Sequence, residues 1–182
     1  MKLTIHPTRF RSPQAAISLV ELLVSVAIAS IIFAAVGSLS VFTSRSFVAM
    51  GNYNDLDRVS RNALDSMSRE IRQTRQLTDY TTNKLTFREM DGSSLVFEFS
   101  PGTGTLVRKK GGADTTLLTQ CDFLTFNISQ RNPSNNFSFF PVSGTNFATA
   151  KLIDVNWRCS RKIFGNKVNT ESVQTAKIVL RN

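Results

Sequence analysis

The stretch ISLVELLVSVAIASIIFAAV, Ile17–Val36, decides how this chain is built, and its apolar character runs on to Phe42. No charged residue occurs from Leu22 to Ser44. A helix needs roughly 20 such residues to cross about 30 Å of hydrocarbon. One carboxylate, Glu21, stands at the front edge of the run. Lys2, Arg9 and Arg11 lie ahead of it with no acid among them, and Arg45 lies behind. An unpaired carboxylate inside lipid costs roughly 2.5–3.5 kcal/mol on insertion scales. Glu21 therefore has two readings. It can lie at headgroup level, solvated and near the positive end of the helix dipole, or it can have a dedicated cationic partner. The first state can precede assembly and the second follow it.

A cleavable secretory signal does not fit. Such a peptide has an apolar region of about 7–15 residues followed by its cut site, whereas here the run is longer and the small residue suited to cutting, Ala16, precedes it. Basic residues on one side of the span keep residues 1–16 in the cytoplasm by the positive-inside rule. The bulk of the chain is then exported. Of the formal charge of +9, three units lie in the leader, leaving about +6 on the rest. That balance permits contact with DNA or acidic lipid without demanding it. The densest basic runs, Arg108 to Lys110 and Arg158 to Lys162, read as solvated turns.

The order of these features resembles the cleavage and methylation signature of type IV prepilins. Ala16 is the small residue before the cut, Ile17 the apolar first residue, and Glu21 the acid four positions on; the apolar helix follows. The family pattern usually has Gly and Phe where this chain has Ala16 and Ile17. The resemblance implies cleavage between Ala16 and Ile17 by a prepilin peptidase that also methylates Ile17. It further implies that Glu21 neutralises the terminal amine of a neighbouring subunit in a fibre. The layout as a whole is similar to the J-type minor pseudopilins of type II secretion and to related minor pilins. Other pilin or pseudopilin subunits and the inner membrane are the implied partners; nucleic acid is not expected as one.

Beyond the span, Arg45 to Tyr80 reads as one continuing helix. Leu56, Val59, Ala63, Met67, Ile71 and Leu77 fall near one face, with Asp57, Arg58, Arg61, Asp65, Arg69, Arg72 and Arg75 opposite. Asp57–Arg61 and Asp65–Arg69 stand four apart in the favourable order. Gly51 and Asn52 to Asn54 suggest a bend or partial melting. The two helical parts together make a spine of roughly 60 residues, roughly 90 Å at 1.5 Å per residue. Strand patterns follow at 84–90, 94–100, 105–110, 115–120, 121–129, 151–160 and 174–182, several joined by turn signals such as Asp91-Gly92 and Gly111-Gly112. The expected fold is α+β: a long N-terminal helix packed on an antiparallel meander. The expected division is a leader at 1–16, a transmembrane helix at 17–44, its amphipathic continuation at 45–80 and a periplasmic β domain at 81–182. The polar stretch 132–150, with Phe137, Phe139, Phe140 and Phe147, reads as a loop that packs on the domain or on a partner.

Catalysis lacks its usual parts. The one histidine, His6, lies in the leader, and no Cys-x-x-Cys, phosphate loop or zinc-protease motif occurs. No enzyme activity, cofactor or metal site is expected, although Asp91 and Asp114 leave calcium open. Cys121 and Cys159 can pair in an oxidising compartment. Cys121, however, is out of phase with the buried set Leu124, Phe126 and Ile128, while Cys159 is in phase with Ile153, Val155 and Trp157. The thiols then face opposite ways unless a bulge shifts the register. Three functions compete: a fibre subunit of secretion, a minor pilin for adhesion or DNA uptake, and an uncleaved membrane-anchored periplasmic domain. Arginines and lysines clustered beside exposed aromatics favour DNA uptake; their separation favours the structural role.

Overall fold

A computed structural model describes residues 18–132, 134, 138–163 and 170–181. The leader, Ile17, Phe137 and residues 164–169 lie outside the described residues. The fold is α+β. Helix α1 spans Leu19–Gln73, and among the described residues nine antiparallel strands follow it. The contacts divide the chain into two units, with the boundary between Ser44 and Arg45.

In the first unit, α1 is apolar and exposed along its length; Leu23, Ile31, Phe33 and Phe42 are all more than half accessible. Its hydroxyls are folded back on the backbone. Ser25 Oγ donates to the Glu21 carbonyl at 2.7 Å, Ser30 to Ala27 at 2.8 Å, Ser38 to Ala35 at 2.8 Å and Thr43 to Leu39 at 2.8 Å. Such bonds satisfy the polar side chains without water, as a lipid-facing helix requires.

In the second unit the helix runs unbroken through Gly51 and Asn54, where the sequence suggested a bend. One glycine costs only about 1 kcal/mol against alanine, and the hydrogen-bond ladder continues on both sides. Leu56, Ser60, Ala63, Met67 and Ile71 are buried at spacings of three and four. Ser60 sits in this apolar row because the buried Trp157 donates its indole N–H to the Ser60 hydroxyl at 3.3 Å. The helix does not reach Tyr80. It stops at Gln73, where the Thr74 hydroxyl and N–H both turn back to the Ile71 carbonyl, at 2.7 and 3.2 Å. Strand β1 (Gln76–Thr81) takes over. Its threonines and Tyr80 suit a pleated surface better than a helix.

Strands β1, β2 (Lys84–Arg88), β3 (Ser94–Ser100), β4 (Thr105–Lys110) and β5 (Ala113–Leu118) form a five-stranded meander in chain order. Leu85, Phe87, Leu95, Phe97 and Leu106 are completely buried, and each such side chain contributes roughly 1.5–3 kcal/mol. Gly111 and Gly112 both have positive φ, which is what the two-residue turn between β4 and β5 demands. The remaining strands do not extend the meander. They make a second sheet of four, ordered β7-β6-β8-β9, from β6 (Cys121–Arg131), β7 (Phe139–Pro141), β8 (Ala150–Ser160) and β9 (Glu171–Val179). Gly104 joins the two sheets. Its carbonyl accepts the Cys121 N–H at 2.9 Å, and a Cβ there would lie 2.8 Å from the Cys121 carbonyl oxygen.

Cys121 and Cys159 form a disulfide. The register of β6 on β8 shifts between Cys121 and Phe123. This bulge exposes both Asp122 and Phe123 and turns Cys121 to the face of Leu124, directly opposite Cys159. The phase mismatch in the sequence is thereby removed. The 132–150 stretch is partly a strand: β7 pairs with β6, Phe147 packs edge-on to Tyr80 with ring centroids 6.0 Å apart, and Phe139 and Phe140 remain about half exposed.

Candidate functional site

Of the three residues the sequence nominates, Ala16 and Ile17 lie outside the described residues and Glu21 is in the first turn of α1. Ser18 precedes the helix. Its hydroxyl accepts the Glu21 N–H at 3.2 Å, and its carbonyl accepts the Leu22 N–H at 3.1 Å. Ser18 is thus the N-cap and Glu21 the third helical residue, the spacing of a capping box. The signal is present in the sequence as Ser18-x-x-Glu21, at the front of the apolar run. The cap fixes the start of the helix at Leu19.

Glu21 is exposed in the single chain. Among the described residues, no cation forms an ion pair with it. The arrangement provides one anion at the end of an unpartnered apolar helix. It suits pairing with another molecule. Among the described residues, no three His, Cys, Asp or Glu side chains gather as metal ligands. Asp91, one of the acids considered for calcium, instead accepts bonds from the Ser93 hydroxyl and N–H, and these hold its carboxyl below the ordinary aspartate range.

Charged pairs brace the second unit. Arg108 meets Glu70 across from the helix at 2.6 Å, Lys110 meets Glu89 at 2.6 Å and Arg161 meets Asp55 at 2.5 Å. Of the two helical pairs expected from spacing, Asp57–Arg61 forms at 2.8 Å, while among the described residues Asp65 and Arg69 make no ion pair.

The model of the prokaryotic N-terminal methylation motif matches residues 11–37, which include Ala16, Ile17, Glu21 and the front of the apolar helix. Neither the curated proteins nor the solved structures yield a match. With its long apolar helix and antiparallel sheets, the chain is a type IV prepilin-like protein. The motif implies processing by a prepilin peptidase and assembly with other pilin subunits, and the apolar helix is long enough to anchor the chain in a membrane.

Proposed function

We propose that this chain is a non-catalytic structural subunit, a minor pseudopilin most like the J-type of type II secretion. It is cut between Ala16 and Ile17, methylated on Ile17, and helps to start or cap a periplasmic fibre. The observation that carries this reading is the methylation motif lying across the front of an exposed apolar helix. Before assembly the helix rests in the inner membrane with the leader in the cytoplasm and the β domain in the periplasm, where a disulfide such as Cys121–Cys159 is stable. On assembly the apolar helices of several subunits pack together. Glu21 then pairs with the Ile17 amine of a neighbour, because a charge pair tolerates a dry surround better than either ion alone.

A minor pilin for DNA uptake is the second reading: exposed Phe139 stands in register opposite exposed Arg131 on β6, and exposed Phe123 opposite exposed Arg158 on β8, cations beside aromatics as a stacking platform for bases requires.

Glu21→Val tests the mechanism. Insertion needs only the apolar run and the leader's basic residues, so membrane residence should be kept. Leaving the amine unpaired in the fibre should cost roughly 3–5 kcal/mol. The variant should therefore stay in the membrane fraction but co-purify poorly with other pilin subunits. Equal co-purification of variant and parent would remove the proposed role of Glu21.

A further inference from the structure

Arginines gather at the C-terminal end of α1. Among the described residues, Arg69, Arg72, Arg75, Arg88 and Arg181 are exposed and take part in no ion pair. Arg69, Arg72 and Arg181 line a groove of about 430 Å³ together with Asp65, Ser68 and Gln73. Arg75 lies two residues past Gln73, and its N–H donates to the Arg88 carbonyl at 2.8 Å, so these two stand beside the groove. Set against the one carboxylate of the groove, Asp65, the five arginines leave a clear positive excess. The helix dipole favours cations in a last turn, which accounts for Arg72. It does not account for Arg88, at the end of β2, or for Arg181, beyond β9.

The lining shows which kind of anion fits. Every residue of the groove is polar or charged, and none is apolar or aromatic. A docked protein segment calls for an apolar centre within a polar rim, and a lipid surface calls for apolar side chains that enter it. A phosphate backbone calls for neither. It is held by arginine together with serine and glutamine side chains, which are the donors that Arg69, Arg72, Arg181, Ser68 and Gln73 supply. A second copy of this chain has no matching face. Among the described residues, its carboxylates without an ion pair are Glu21, Asp65, Asp91, Asp114 and Glu171. Glu21 opens α1, Asp65 lies in the groove itself, Asp91 follows β2, and Asp114 and Glu171 are on β5 and β9, in different sheets. Duplex DNA carries one charge per about 1.7 Å of its axis, twice the density of a single strand. Its bases are stacked inside, so a groove without aromatic residues suits it.

We propose that this groove holds the phosphate backbone of duplex DNA during uptake, independently of base sequence. The proposal rests on the DNA-uptake reading above and adds to it the form of the DNA and a place of contact apart from Phe123 and Phe139. It is tested by titrating the full chain, in non-ionic detergent, into a fluorescein-labelled duplex of about 20 base pairs and reading anisotropy from about 50 to 200 mM salt. R69Q/R181Q should weaken binding roughly tenfold and flatten the slope of log K against log salt by about 1.8, two phosphate contacts at about 0.9 each. R45Q/K162Q removes the same charge at two other exposed positions that form no ion pair among the described residues. It should bind within about twofold of the parent, and unchanged Trp157 emission in both variants shows that they fold. The proposal is overturned by no binding at about 50 mM salt, by equal losses in the two variants, by an unchanged salt slope in R69Q/R181Q, or by poly-L-glutamate that displaces the duplex at a lower concentration of charge than unlabelled duplex does. Uptake of labelled duplex by cells separates the two levels. Uptake indifferent to loss of this chain removes the DNA-uptake reading and the proposal with it, whereas uptake that needs this chain and is unchanged in R69Q/R181Q removes the groove alone.

Discussion

Reducing the Cys121–Cys159 bond should loosen the β domain by an amount set by the loop that it closes. The two cysteines are 38 residues apart. Closing a loop of that length removes roughly 13 cal/mol/K from the unfolded chain, or about 4 kcal/mol at 25 °C. At a urea slope of about 2 kcal/mol/M, the unfolding midpoint should fall by about 2 M. The probe is built in: Trp157 is the single tryptophan, 1% exposed, on the strand that carries Cys159. Its emission should report unfolding of the full chain in non-ionic detergent, with and without reductant. C121A/C159A should match the reduced parent to within about 1 kcal/mol, since only small buried atoms are lost. A midpoint that moves by less than about 0.5 M on reduction would refute the claim that this link restrains the unfolded chain.

Two further outcomes follow from the geometry. Gly104→Ala combines a φ of +63° with a Cβ placed 2.8 Å from the Cys121 carbonyl oxygen, so it should cost about 2–4 kcal/mol in the same urea assay; Gly102→Ala, which meets open space, should change stability by less than about 0.5 kcal/mol. The Asp55 carboxyl is held below the ordinary aspartate value of 3.8, first by its hydrogen bond from Arg161 and then by that from Arg58. Its contribution is therefore complete above that ordinary value and is lost as pH falls through the lowered one; the stability gap between the parent and Asp55→Asn should be flat at neutral pH and close in acid, and a gap that widens in acid contradicts the pairing.

Much of the architecture was legible because it is local. The charge-free run sets the apolar helix, and strands β3 and β4 occupy the residues that alternation and the flanking glycines indicate. What was not legible depends on distant partners or on a change of period. Leu77 continues the apolar face of Ile71 at a spacing of six, which concealed the switch from helix to strand at Thr74. Ser60 reads as a flaw in an apolar face, because the indole that satisfies it is 97 residues away. The disulfide was hidden by one extra residue in β6, since a bulge leaves no mark in an alternating pattern. The arginine groove joins the helix to Arg181 near the far end of the chain, and no spacing rule connects them. At the processing site the reverse holds: Ser18 and Glu21 are neighbours, and their capping relation could have been read directly.

The central claim is that this chain is a processed fibre subunit, and the mass of its mature form tests that most directly. The full chain, expressed in a host with a prepilin peptidase and extracted from membranes, should begin at Ile17 and be one methyl group heavier than unmodified residues 17–182. A chain that keeps Met1, or one cut at a bond other than Ala16–Ile17, would contradict it.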